Sequence, residues 1–238
     1  MLPAFLTSYL VALAATPLAI RVARRYGIVD HPVGYKGHAR PTPCLGGAAV
    51  LAGFLAGALV DGVLWDGDLT PIFAGAAFLW VVGVIDDRFL LGPRIRIVAE
   101  VLAAVLLWNS GLGWSLFPGE VADLAVTVLW VVGIVNAFNL MDNLDGAAGT
   151  VAGVSAAGIA LLSVYEGTDQ LTALAVAVCG ACAGFLYFNL TRPARIFLGD
   201  GGSMLLGFLV AALAMAVWRL NEMIGPAFLP AIMLVGVP

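Results

Sequence analysis

Charge is what this chain has least of: Asp, Glu, Lys and Arg make up 11% of its 238 residues, against about a quarter in an ordinary soluble domain. With 62% apolar residues and a mean hydropathy of +1.03, that scarcity excludes a soluble globular protein. Cysteine occurs three times, too few and too scattered for a disulfide framework. Cys179 and Cys182 form a CxxC inside an apolar run, with no second pair and no nearby histidine. They read as small packing residues, not as metal or redox ligands. No basic residue precedes the first apolar run, Leu2 to Ile20, whereas Arg21, Arg24 and Arg25 follow it. That order argues against a cleavable leader and for a first span with its N-terminus outside. Low-complexity linkers and internal repeats are also missing, so the chain reads as one domain, 1–238.

What is present is a succession of apolar runs, each able to cross roughly 30 Å of hydrocarbon. We place spans at 2–21, 45–64, 71–86, 96–113, 122–140, 146–164, 171–190, 203–219 and 224–238, giving an all-α polytopic membrane protein of nine helices. Ten of the eleven Lys and Arg residues then fall on one side, which the positive-inside rule makes cytoplasmic. The opposite loops hold Asp61, Asp66, Asp68, Glu120, Asp123, Glu166, Asp169 and Glu222, with Arg219 as their sole base. Trp65, Trp108, Trp114 and Trp218 lie near those outer ends, as an interfacial aromatic belt does. The abundant glycines, many beside Ala, suit close helix contacts in lipid.

The residues that could do chemistry share the cytoplasmic side. Asp86 and Asp87 end the third span, and adjacent carboxylates at a membrane boundary repel unless a cation or proton compensates. A hard ion such as Mg2+ suits oxygen ligands plus a substrate phosphate. Asn136, Asn139 and Asn143 recur at helical spacing at the end of the fifth span, followed by a turn holding Asp142 and Asp145. Buried amides there need polar partners. Gly199-Asp200-Gly201-Gly202-Ser203 precedes the eighth span, and reads as a phosphate cradle in which Ser203 caps the helix and Asp200 faces a metal. Lys36, His38 and Arg40 stand just before the second span, within reach of a phosphate-bearing ligand, with prolines stiffening the loop.

Four segments together carry a resemblance: DHPVGYKGHARPTPCLGG (30–47), GVIDDRFLLGPRIRIVAE (83–100), NAFNLMDNLDGAAG (136–149) and FNLTRPARIFLGDGGSMLLG (188–207). In order and spacing they resemble the polyprenyl-phosphate N-acetylhexosamine-1-phosphate transferases, the first block being more similar to the N-acetylglucosamine branch than to the muramoyl-pentapeptide branch. The resemblance implies Mg2+-dependent transfer of a sugar-1-phosphate from a UDP-N-acetylhexosamine to polyprenyl phosphate, with release of UMP and Mn2+ as an alternative ion. Such a reaction initiates a cell-envelope polysaccharide, of the lipopolysaccharide or teichoic-acid kind, at the cytoplasmic face of a bacterial or archaeal plasma membrane. It implies that Asp86 and Asp87 are catalytic and approach the metal, and that Asp200 is a metal ligand. Asn136, Asn139, Asp142, Asp145, Asn189, Gly201, Ser203 and Arg96, with Lys36, His38 and Arg40, would bind substrate. Its implied partners are the two substrates, the bilayer and a second copy in a homodimer, but no nucleic acid. Direct attack and a covalent aspartyl intermediate both remain open.

The match departs from the family in places. Arg96 stands where Lys is usual, Glu100 near a usual Gln, and Asn143 for a usual Gly. The family's histidine-bearing loop and last spans are expected beyond Pro238, so the chain reads as C-terminally incomplete relative to that pattern. Two competing readings stay open at this point. One is an anionic-solute transporter, which would place ionisable groups near the midplane. The other is an inactive fragment that still binds substrate.

Overall fold

The computed structural model describes residues 1–32 and 41–219. Eight α-helices fill the described residues: α1 (Leu2–Tyr26), α2 (Gly46–Val60), α3 (Thr70–Phe89), α4 (Pro93–Asn109), α5 (Glu120–Met141), α6 (Ala147–Tyr165), α7 (Asp169–Asn189) and α8 (Asp200–Arg219). A two-residue antiparallel ladder pairs β1 (Val29–Asp30) with β2 (Thr42–Pro43). Six of the helices are long and apolar enough to cross a membrane; α2 is a shorter apolar helix. The chain is thus an all-α, multi-pass membrane protein.

The predicted boundaries shift where glycine backbones stop the helices. The expected span 45–64 ends at Val60, because Gly62 turns left-handed (φ 74°) into a 3-10 turn at Val63–Trp65. The expected span 96–113 instead runs from Pro93, whose fixed φ suits a first helical turn, to Asn109; Gly111 (φ 76°) lies just beyond. The eighth begins at Asp200 instead of residue 203. The predicted ninth span, 224–238, and Lys36, His38 and Arg40 lie outside the described residues.

α8 is the axis of the bundle. Every residue from Gly201 to Val217 is buried, so its apolar surface meets other helices on all sides. It packs against α3, α5, α6 and α2, while α7 holds α1, α2 and α6. α1 turns a single stripe inward, Ala4, Ser8, Ala12, Thr16, Ala19 and Ala23, spaced three or four residues apart. Small residues on this stripe meet glycines across the gap: a Cβ on Gly180 would lie 2.4 Å from the Phe5 carbonyl, and one on Gly184 would lie 2.5 Å from that of Tyr9. With lipid as the competing apolar phase, such backbone proximity is what holds membrane helices together.

One member of the expected aromatic belt belongs to the core instead. Trp114 is 1% exposed and packs edge-on to Trp130, 5.5 Å between centroids, beside Trp218 at 6.3 Å. Trp65, by contrast, is 79% exposed.

Candidate active site

The aspartate motifs converge because the ends of α1, α3, α5 and α7 meet the starts of α2, α4, α6 and α8. Backbone bonds tie this end together: Gly46 and Gly47 donate to the carbonyls of Phe197 and Leu198, Phe197 donates to Pro43, and Cys44 donates to Ile28. Asn189 closes the α7–α8 loop, its buried amide donating to the Ile196 carbonyl at 2.9 Å. That bond uses the side chain in bracing the loop that leads into α8.

The first turn of α8 carries the centre of the site. A helix start leaves N–H groups without intrahelical acceptors, and here a carboxylate from another helix takes two of them. The Asp200 N–H donates to Asp87 Oδ1 at 2.9 Å, and the Gly201 N–H to Asp87 Oδ2 at 3.2 Å. Two N–H groups of the turn read as a phosphate cradle are thus already bonded to Asp87. Ser203 lies inside the first turn and does not cap it: its hydroxyl donates to the Asp200 carbonyl at 3.3 Å and accepts from Asn139 at 3.1 Å.

Close backbone approach makes this arrangement fit. A Cβ on Gly83 would sit 2.5 Å from the Asp200 carbonyl oxygen and from the Gly201 nitrogen, and one on Gly47 would sit 2.4 Å from the Gly202 Cα. Gly199 adopts φ 79°, and a Cβ there would meet the Cys44 carbonyl at 2.5 Å and Asp87 Oδ2 at 2.8 Å. The glycines of this motif thus serve helix–helix contact and a left-handed turn. Cys44 beside them is buried, and burial together with Asp87 pushes its thiol well above the usual range, unlike a nucleophile.

Around this turn stand the other polar groups. Asn139 on α5 donates to Asp200 Oδ1 at 2.5 Å. Asp86, 3% exposed, accepts from the Leu91 N–H at 2.6 Å and pairs with the Arg96 guanidinium at 3.1 Å. Its carboxyl also lies within hydrogen-bonding reach of Asp200. Asp142, beyond the end of α5, is pushed well above the usual carboxylate range, first by burial and then by the charges of Asp200 and Asp87. Asp145 is exposed in the following turn and adds to that repulsion. Asn143 stays apart, its amide donating to the nearby Leu140 carbonyl.

Glu100 extends the constellation into the bundle, and the motif reading named it only as a departure. It is fully buried on α4; its Oε2 accepts from Asn136 at 2.5 Å, and its Oε1 has no partner. Asn136 also donates to the Val132 carbonyl at 2.8 Å. A carboxylate one helical turn after Arg96 in an otherwise apolar run was the available signal.

Does this donor set suit a divalent ion? Among the described residues no group of three or more His, Cys, Asp or Glu side chains is arranged as a ready-made metal site. Mg2+, however, is usually held by one or two protein carboxylates, with water and substrate phosphate supplying the rest. Neighbouring Asp86 and Asp200 provide such a pair, and Arg96 is the one cation paired with it among the described residues. The residues fit the ion.

An apolar helical bundle with crowded carboxylates at one end is a membrane-embedded framework with a candidate catalytic centre, and sequence similarity gives it a family. A sequence model described as Glycosyl transferase family 4 matches residues 69–218, and the chain belongs to this family. It is 32% identical, over 99% of its length, to a probable undecaprenyl-phosphate N-acetylglucosaminyl 1-phosphate transferase of Bacillus subtilis, covering 68% of that protein. Against a decaprenyl-phosphate N-acetylglucosaminephosphotransferase of Mycobacterium tuberculosis it is 32% identical over 87% of its length, covering 58% of the relative. Against the undecaprenyl-phosphate alpha-N-acetylglucosaminyl 1-phosphate transferase of Escherichia coli K12 the identity is 31%, over 86% of this chain and 57% of the relative.

Proposed function

We propose that this protein transfers N-acetylglucosamine-1-phosphate from UDP-N-acetylglucosamine to a polyprenyl phosphate, with Mg2+, at the cytoplasmic face of the plasma membrane. The lipid phosphate oxygen forms a bond to the sugar-bearing phosphorus, the diphosphate bond to UMP breaks, and a polyprenyl diphosphate-linked sugar results. The observation that carries this reading is the meeting of Asp86, Asp87, Asp142 and Asp200 around one helix start in a membrane bundle whose relatives bear the names of such transferases.

Two anionic substrates must approach each other, so the site must supply positive charge and fixed orientation. Mg2+, held by Asp86 and Asp200, would neutralise phosphate oxygens and stabilise charge on the departing UMP. Arg96 fixes Asp86, and Asn139 fixes Asp200. Asp142 and Asp145 border the nucleotide, and Lys36, His38 and Arg40 contribute the remaining phosphate contacts. Placement at a membrane boundary lets the lipid arrive from the bilayer and the nucleotide from water. The product would begin an envelope polysaccharide.

The test is UMP release by purified protein supplied with UDP-N-acetylglucosamine, undecaprenyl phosphate and Mg2+. Release matched by labelled lipid, and abolished by EDTA, is expected. Failure under conditions where the Bacillus subtilis relative turns over would sink the reading. Mg2+-dependent nucleotide binding without turnover would leave a binding role, and solute uptake into proteoliposomes without UMP release would favour transport.

A further inference from the structure

We infer that Asp87 is a positioning residue: a clamp from α3 that fixes the first turn of α8 and so sets where the Asp200 carboxylate stands. This rests on the proposed role of Asp200 as a metal ligand and assigns Asp87 a task distinct from metal binding.

Three observations carry it. First, the two oxygens of Asp87 are spent on consecutive backbone donors, the N–H groups of Asp200 and Gly201. A carboxylate across two successive N–H groups at a helix start satisfies orphan donors and complements the helix dipole. Second, α8 has no capping side chain of its own. Ser203 lies within the turn and faces Asn139, and Gly199 has none. A partner more than a hundred residues away in sequence therefore does the capping. Third, the contact surface is shaped for it: Gly83, one turn before Asp87, brings α3 against the Asp200–Gly201 backbone, where no Cβ fits.

The geometry also fixes Asp200 from two sides. Asp87 holds its amide and Asn139 holds its Oδ1. A carboxylate gripped at backbone and side chain is pre-organised for a ligand, the arrangement by which outer groups tune a metal site.

A sign test separates a clamp from a ligand. Carboxylates crowded at a site repel one another in the metal-free protein, so removing one that serves only as ligand or reacting group leaves stability unchanged or raised. Removing a clamp lowers it. Asp87→Asn keeps one acceptor but turns an amide N–H2 toward a backbone N–H. We expect Asp87→Asn to lower the metal-free Tm by several degrees, while Asp200→Asn leaves it unchanged or raised. With Mn2+ alone as probe, read by electron paramagnetic resonance, we expect Asp87→Asn to bind about 10- to 100-fold more weakly, the range for loss of an outer-shell partner.

A metal-free Tm for Asp87→Asn equal to or above wild type would overturn the clamp. A lowered Tm with unchanged Mn2+ affinity would reduce Asp87 to a fold contact and overturn its positioning role. Hydrogen exchange on the wild type gives a second measurement should the variant not fold: protected amides at Asp200 and Gly201 support the clamp, and fast exchange there refutes it. If the wild type binds no Mn2+, the metal reading falls while Tm and exchange still judge the clamp.

Discussion

Glycines at helix contacts and glycines in turns use the same residue type to opposite purpose, and the carboxylates of the two ends divide in a comparable way. Around the first turn of α8, the Cβ positions of Gly46, Gly47, Gly83, Gly199 and Gly201 are all closed off, the nearest atoms at 2.4–2.7 Å. The turn glycines Gly62, Gly67, Gly111, Gly119 and Gly167 of the other end have nothing within 4 Å, as have Gly27 and Gly92, whereas Gly57, where α2 packs on α1 and α7, is closed. Carboxylates divide by end. Asp123 accepts the Leu116 and Phe117 N–H groups at 2.8 and 2.9 Å, bracing a loop, while Asp61 pairs with the amino terminus at 3.1 Å. Asp86, Asp87, Asp142 and Asp200 instead act on one another. A carboxylate on a backbone N–H is a structural device anywhere in a protein. Crowding four of them costs stability and marks that end as the candidate site.

Breaking the crowded end should have the largest effect. Asp200→Asn should keep the fold and lower the rate of UMP release by about 100- to 1,000-fold, the scale for losing one preorganised charge-stabilising group. Unchanged turnover would remove Asp200 from the site. Next comes Gly83→Ala, which forces a methyl to within 2.5 Å of the Asp200–Gly201 backbone. Backbone cannot rotate away, so overpacking of about 1–3 kcal/mol is expected, together with loss of activity as α3 and α8 separate. A variant with wild-type stability would show that this interface has slack.

The quiet end should answer differently to a change of similar size. Asp123 is 8% exposed and carries two backbone N–H groups. Asp123→Ala should destabilise by about 1.5–3 kcal/mol, the range for losing hydrogen bonds to a charged group. UMP release per folded molecule should stay at the wild-type value. A fall in turnover at constant folded fraction would show that the two ends are coupled.

Which parts of this comparison were legible in the sequence follows from the range of the forces involved. Hydropathy is local, so the apolar helices announced themselves, and the aspartate motifs could be placed at helix ends by counting along the chain. Helix limits depended on single left-handed residues such as Gly62 and Gly111, which composition does not reveal. The function of the Gly-Asp-Gly-Gly-Ser run was harder still. Read alone, it offers backbone N–H groups to a ligand; folded, it offers them to Asp87, 113 residues earlier. Glu100 and Asn136, 36 residues apart on neighbouring helices, met in the same way. No spacing rule reaches across helices, so the polar helix ends were readable and the hydrogen bonds that join them were not.

The smallest effect sharpens the comparison most, because it tests open space directly. Gly67 lies in the short 3-10 turn Gly67–Leu69, with the Asp66 side chain accepting the Asp68 N–H at 3.0 Å. Its backbone is outside the left-handed region, and a Cβ there would meet nothing within 4 Å. Alanine at such a position restricts the unfolded chain without straining the folded one, so Gly67→Ala should stabilise by about 0.4–1 kcal/mol. Turnover should not change. The same one-methyl substitution would then raise stability at one end and lower it at Gly83. That opposition follows from whether the glycine stands where helix backbones meet, as Gly83 does, or in an open turn, and a destabilised Gly67→Ala would show that the outer turn is packed more closely than its geometry indicates.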